Sequence, residues 1–232
     1  QQETLDAESS VDHLQVQETA AKSEYLALAG QLSQTRQQGS EALSNQVSAT
    51  MQMLAMSGGR FAVALIPLEQ ATSSGLEQIE FQVAANQGLP LRPLAKVASG
   101  GELSRISLAI QVICSKLGTA PTLIFDEVDV GIGGKVAEIV GNLLKKLANQ
   151  RQVLCITHLP QVAATGDQQW QVIKSADVAE TQSISSTIRV LDQQERIEEI
   201  ARMLGGVNIT DVTRQHAAEM LHHAHHAAGN NP

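Results

Sequence analysis

The chain has 232 residues, 43% of them hydrophobic, enough for one good core or two small ones. With three Phe, one Tyr and one Trp, packing falls to Leu, Ile, Val, Ala and Met. A formal net charge of −8 excludes a polycation that seeks nucleic-acid phosphates by charge alone. No run approaches the ~18 apolar residues of a membrane span, and no basic segment followed by an apolar one marks a signal peptide. Cys114 and Cys155 each sit in an apolar run rather than in a Cys-x-x-Cys pair, which predicts buried, reduced thiols in a cytosolic protein. The chain opens on Gln1 directly into helical pattern and reads as a piece of a longer protein.

Residues 1–38 fit a heptad with Thr4, Val11, Glu18, Tyr25 and Leu32 at one seam position and Ala7, Leu14, Ala21 and Leu28 at the other. This predicts a coiled-coil strand with a thin seam; a single amphipathic helix packed on a domain fits the same pattern. The phase breaks at Gly39-Ser40, and a new stripe of Leu43, Val47, Met51 and Leu54 favours a packed helix over 41–56, ended by Ser57-Gly58-Gly59. Residues 60–67 and 78–85 read as strands, followed by a turn at Asn86-Gln87-Gly88 and a loop with Pro90 and Pro93. A helix follows over 101–117. The apolar run Thr122–Phe125 reads as a strand buried on both faces. Further expectations are a helix over 134–149, a strand over 152–156, strands over 169–174 and 183–191, and closing helices over 194–204 and 211–223 about Gly205-Gly206. The strand–helix–strand order from 122 to 157 implies parallel strands joined by a right-handed crossover. The expected division is an arm over 1–56 and an α/β head lobe over 57–232, frayed from about 224.

Asp126 and Glu127 fall at the carboxyl end of an apolar strand, the edge where open parallel sheets bind ligands. A carboxylate there can hold Mg²⁺ beside phosphates, and its neighbour can orient or deprotonate a water; an ordinary solvated strand end has the same composition. His158 ends the next strand and opens a short helix at Thr157-His158-Leu159-Pro160, so it should share that edge and can donate to a phosphate. A helix cap is the bland alternative. Ser99-Gly100-Gly101-Glu102 precedes a long helix whose free N–H groups suit phosphate, although a Gly-Gly turn also serves as a plain cap. Asp129 follows the acidic pair and has the placement to communicate across an interface. Gly131-Ile132-Gly133-Gly134-Lys135 is no P-loop: Asp129 stands where the first glycine is needed, and Val136 stands where the Mg²⁺-binding hydroxyl is needed. The tail His222, His223, His225 and His226 has metal-binding residue types but reads as a terminus.

The stretches Lys96–Arg105, Leu123–Lys135, Ile156–Ala164 and Ala201–Thr210 together closely resemble the RecN family, bacterial SMC-like ATPases of recombination and DNA repair. The match covers roughly residues 94–222, and residues 1–56 are similar in kind to the coiled-coil arm that returns into the head. The resemblance implies the C-terminal lobe of an ABC/SMC-type head, a mostly parallel sheet flanked by helices and preceded by a long coiled-coil helix. It implies ATP and Mg²⁺ as ligands. Asp126 would be the Mg²⁺ ligand, and Glu127 and His158 the catalytic carboxylate and switch histidine. Ser99, Gly100, Gly101 and Glu102 would form the signature motif that contacts the γ-phosphate of ATP held by a second head, and Asp129 would be the D-loop residue. Implied partners are the N-terminal lobe of the same protein, a second head in a homodimer, and DNA through the full-length assembly, in a cytoplasmic, nucleoid-associated setting. The Walker A half is absent, which makes the chain a half-site. Another ABC-type half-head and a structural coiled-coil scaffold are the competing readings.

Overall fold

The Ala-, Gln- and Ser-rich opening forms one unbroken helix, α1 (Gln2–Met53), about 78 Å long at the rise of an α-helix. The computed structural model describes residues 2–96, 100–115, 120–176, 184–206 and 208–227. Gly39 does not interrupt α1, and nothing beyond its chain neighbours and its own helix backbone lies within 4 Å of where its Cβ would stand. The change of phase there is a change of buried face, not a break. Residues 11–20 are exposed throughout, with the seam residues Val11 and Leu14 at 51% and 61%. Further along, α1 packs on strands, as the packed-helix reading expects.

Contacts divide the chain into two units, Gln1–Ser48 with Gly59–Lys96, and Ala49–Gly58 with Val97–Pro232. The first joins α1 to an antiparallel hairpin, β1 (Arg60–Thr72) and β2 (Gly75–Ala84), extended by the short β3 (Arg92–Pro93). Alternating apolar residues set the register: Phe61 opposes Val83 and Val63 opposes Phe81, with the Phe61 and Phe81 rings 5.4 Å apart. Among the described residues β1 pairs only with β2, so the N–H groups of its outer edge need other acceptors. The α1 serines supply them. Ser48 Oγ accepts from Phe61 N–H at 2.9 Å and Ser44 Oγ from Val63 N–H at 3.0 Å. Tyr25 donates to the Thr72 carbonyl at 2.8 Å, and Arg36 pairs with Glu77 at 3.4 Å. Both strands run longer than the sequence predicts because these polar ends are held by the helix. Gly88, at φ +82°, turns the chain after β2, where Leu89 N–H donates to the Asn86 carbonyl.

α1 ends one turn before the expected glycines. Met56 N–H reaches back to the Met51 carbonyl at 3.2 Å across Ala55, whose φ is +59°. That is a left-handed cap made by an alanine rather than by Gly58 or Gly59.

In the second unit, α2 (Gly100–Ile113) leads to β4 (Thr122–Phe125), α3 (Gly134–Ala148) and β5 (Gln152–Cys155). β4 and β5 are parallel, Thr122 level with Gln152 and Phe125 with Cys155, as the strand–helix–strand order predicts. Two-sided burial of β4 does not hold. Phe125 is 5% exposed but Ile124 is 68% exposed, because alternate residues face opposite sides and only one side is packed. After α4 (Pro160–Thr165) comes an antiparallel pair, β6 (Trp170–Ala176) and β7 (Ile184–Val190). Gln171 and Arg189 bond to Glu199 and Glu195 of α5 (Gln193–Gly205), whereas Trp170, Val172, Ile188 and Val190 share the opposite, exposed face. Ile200, Ala201, Ala163, Ala164, Ala217 and Leu221 form a core between α4, α5 and α6 (Asp211–Ala227). α5 starts on a full capping box, with Asp192 and Glu195 exchanging side-chain and backbone bonds. α6 keeps helical backbone to Ala227, past the point where fraying is expected.

Gly141 lets α3 approach α4 closely. A Cβ there would lie 2.8 Å from Thr165 Cγ2 and 3.3 Å from the Gln161 carbonyl. Gly141→Ala should therefore lower the stability of this chain by about 1–3 kcal/mol in urea unfolding, against the roughly 1 kcal/mol that alanine gains in helix propensity. Equal or higher stability would show that α4 can shift away.

Candidate functional site

β4 and β5 release the chain at the same edge, and three loop segments meet there. Asp126 is exposed at the end of β4, its Oδ1 accepting from Glu127 N–H at 2.9 Å. Glu127 adopts φ +57°, a left-handed conformation that strains a residue with a Cβ. A turn holds it, with Val130 N–H donating to the Glu127 carbonyl at 3.2 Å. Backbone strain of this kind concentrates at functional loops.

The start of α2 is fastened to that loop. Ser104 Oγ donates to the Asp126 carbonyl at 2.7 Å, and Arg105 Nη1 donates to the Val130 carbonyl at 2.7 Å. Arg105 is 8% exposed; burial pulls its guanidinium pKa down while the charge of Glu102 pushes the other way. The Glu127 carboxylate lies over Gly100, in the space a Cβ at that position would need, and Gly101 has the Val130 Cβ 3.2 Å from its own Cβ position. The two glycines let the helix start approach the acidic loop. Ser99 lies outside the described residues; Glu102 is half-buried in the first turn of α2.

Asp129 turns inward. It is 2% exposed, and its Oδ2 accepts from the Thr157 hydroxyl and from His158 N–H at 3.1 Å, with His158 Nδ1 at 3.3 Å. Its carboxylate is turned toward the end of β5. The His158 side chain is 66% exposed at the same edge. The structure thus brings together Asp126, Glu127, Gly100, Gly101, Asp129 and His158.

Sequence reasoning overlooked Ser104, Arg105 and Thr157, which hold the loop without facing a ligand. An arginine between Leu103 and the mostly apolar stretch Ile106–Ile110 was the available signal for Arg105. Among the described residues no three His, Cys, Asp or Glu side chains cluster as a metal cage. Mg²⁺ needs only one or two carboxylates beside phosphate oxygens, and the exposed Asp126 fits that requirement. No described helix is long and apolar enough to cross a membrane.

No family profile matches the chain. It is 49% identical over 195 residues to the DNA repair protein RecN of Xylella fastidiosa, covering 83% of this chain and 34% of that protein. It is 44% identical over 222 residues to the DNA repair protein RecN of Haemophilus influenzae, covering 95% and 39%. The chain belongs to the RecN family. It spans between 34% and 39% of the length of these relatives. The family resemblance carried by the four sequence stretches is borne out. Among solved structures, the Smc head domain with a coiled coil and joint from Pyrococcus yayanosii is similar to 69% of this chain and 28% of its own, at 21% identity and a TM-score of 0.49.

Cys114 and Cys155 are unpaired and half-buried rather than fully buried. Burial, then the charges of Asp129 and Asp126, push the Cys155 thiol from its ordinary 9.0 up to about 12. A thiol raised by folding contributes stability that is whole below pH 9.0 and lost as the pH rises from there toward about 12. In a Cys114→Ser background, Cys155 should react with a disulfide reagent at pH 8 about a hundredfold more slowly in the native than in the urea-unfolded chain. Equal rates would contradict the burial of the thiol.

Proposed function

We propose that this chain is the C-terminal lobe of an ABC/SMC-type ATPase head that acts in recombinational repair of DNA double-strand breaks. The observation that carries the reading is the meeting of Asp126-Glu127, the Gly100-Gly101 turn and His158 at one edge of a parallel strand pair. ATP is the substrate. Asp126 would hold Mg²⁺, which when bound neutralises phosphate charge. Glu127 would orient or deprotonate the attacking water, and His158 would meet the terminal phosphate. The start of α2, with Ser99, Gly100, Gly101 and Glu102, would offer backbone N–H groups to the γ-phosphate of ATP held by a second head. No stretch of this chain supplies a P-loop, so the phosphate cradle would come from the N-terminal lobe of the same protein. ATP binding would join two heads, hydrolysis would part them, and DNA would be engaged by the full-length assembly rather than by this acidic segment. This setting is cytoplasmic and associated with the nucleoid.

The chain alone should neither bind ATP tightly nor turn it over, whereas co-expression with the N-terminal lobe should restore turnover. Glu127→Gln in the restored pair should lower turnover by two orders of magnitude or more, on the order of 3 kcal/mol of transition-state stabilisation, and prolong ATP-dependent head association. Glu127-dependent hydrolysis by this chain alone would overturn the split-site reading. An ATP-independent dimer lost on deleting residues 1–38, with no turnover in any combination, would favour a scaffold.

A further inference from the structure

Asp129 is the one buried carboxylate among the described residues, and a strand-end loop does not need one for packing. Three contacts converge on a single oxygen, Oδ2: hydrogen bonds from the Thr157 hydroxyl and from His158 N–H at 3.1 Å, and His158 Nδ1 at an ion-pair distance of 3.3 Å. The first two fix the backbone at the end of β5. Thr157 is fixed in turn, because its hydroxyl accepts from Leu159 N–H at 3.0 Å while donating to Asp129. The third contact concerns the ring. A carboxylate oxygen accepts only, so Nδ1 at this distance must carry a proton for the contact to be attractive. The partner that faces one ring nitrogen bears on what the other can do.

We infer that Asp129 is a positioning residue for His158, acting within its own chain: it holds the ring in one orientation and in the Nδ1–H form, so that Nε2 alone faces the ligand edge. The inference rests on the proposed role of that edge in ATP hydrolysis. Nε2 then meets a phosphate or a water as a donor when the ring carries both protons, and as an acceptor when it carries one. A ring free to rotate or to exchange tautomers would present a mixture. Because the same carboxylate belongs to the loop of Asp126 and Glu127, the acidic pair and the histidine are set by one group and keep a fixed relation.

The direct test reads the ring nitrogens of His158 in this chain by long-range ¹H–¹⁵N spectra, with His158→Gln identifying the signals. At about pH 9 an imidazole is ordinarily neutral, so the tautomer is visible. The wild-type ring should show Nδ1 protonated and Nε2 bare. Asp129→Asn, whose amide can turn an N–H toward Nδ1, should shift the ring toward the Nε2–H form. A wild-type ring in the Nε2–H form, or an Asp129→Asn ring indistinguishable from wild type, overturns the inference. If Asp129→Asn does not fold, Thr157→Val decides together with the wild type. It removes one donor from Oδ2 and should leave the ring as Nδ1–H; loss of that form would assign the positioning to Thr157 instead.

In the complete protein, Asp129→Asn should lower kcat about 10- to 100-fold with little change in KM for ATP. Unchanged kcat beside an inverted tautomer would also overturn the inference. Glu127→Gln measured in parallel separates the two ideas: if it leaves turnover intact, the hydrolysis reading fails, while the ring spectra still judge Asp129.

Discussion

Four residues on each of two strands decide where the chemistry of this chain sits. The parallel pairing of β4 with β5 makes Phe125 level with Cys155, and Ile156 N–H adds a last rung to the Phe125 carbonyl at 2.9 Å. Asp126 and Ile156 therefore leave the sheet side by side, with Thr157 one residue beyond. A slip of one residue would turn Phe125 outward and carry the acidic pair away from His158. Everything else at the edge is fastened to this pair. Ser104 and Arg105 bind α2 to the loop after β4, Asp129 binds that loop to the end of β5, and the left-handed Glu127 lets the loop curl between them.

The first unit follows another rule, in which a helix supplies the hydrogen bonds that a strand edge lacks. Ser44 and Ser48 are one helical turn apart and meet Val63 and Phe61, alternate residues that point their N–H groups away from β2. Period four on α1 thereby matches period two on β1 for a short stretch. The match cannot continue along a straight helix, and Tyr25 and Arg36 bridge to the far end of the hairpin with longer side chains.

Much of this arrangement was legible in the sequence, because the motif residues are punctuated by strong local signals. The apolar run ending in Asp126-Glu127, the helix to Ala148 and the second run ending at His158 forecast the parallel pair and its working edge. What was hidden has physical reasons. A run such as Thr122–Phe125 has the same composition whether one face or both are covered, so the exposure of Ile124 could not be read from it. Asp129 stands among apolar residues, but a carboxylate is usually a surface group; only the neighbouring strand end, supplied by Thr157 and His158, makes its burial tolerable. The polar strand ends, Leu68 to Thr72 and Gly75 to Glu77, lack strand alternation and are held by α1, a tertiary effect. Ala55 adopts a backbone that glycine normally fills, so the nearby glycines misled the choice of helix end.

The placement of Trp170 has an optical consequence. It is the chain's single tryptophan and is already 52% exposed, on the apolar face of β6 and β7 that turns away from α5. Its emission in the folded chain will resemble that of a half-hydrated indole, so unfolding will move it little and fluorescence will understate the loss of structure. The same exposure makes it a sensitive reporter in the other direction. Whatever covers the face of Val172, Ile188 and Val190 must also dehydrate this ring, and a shift to shorter wavelength would record the event without any added label.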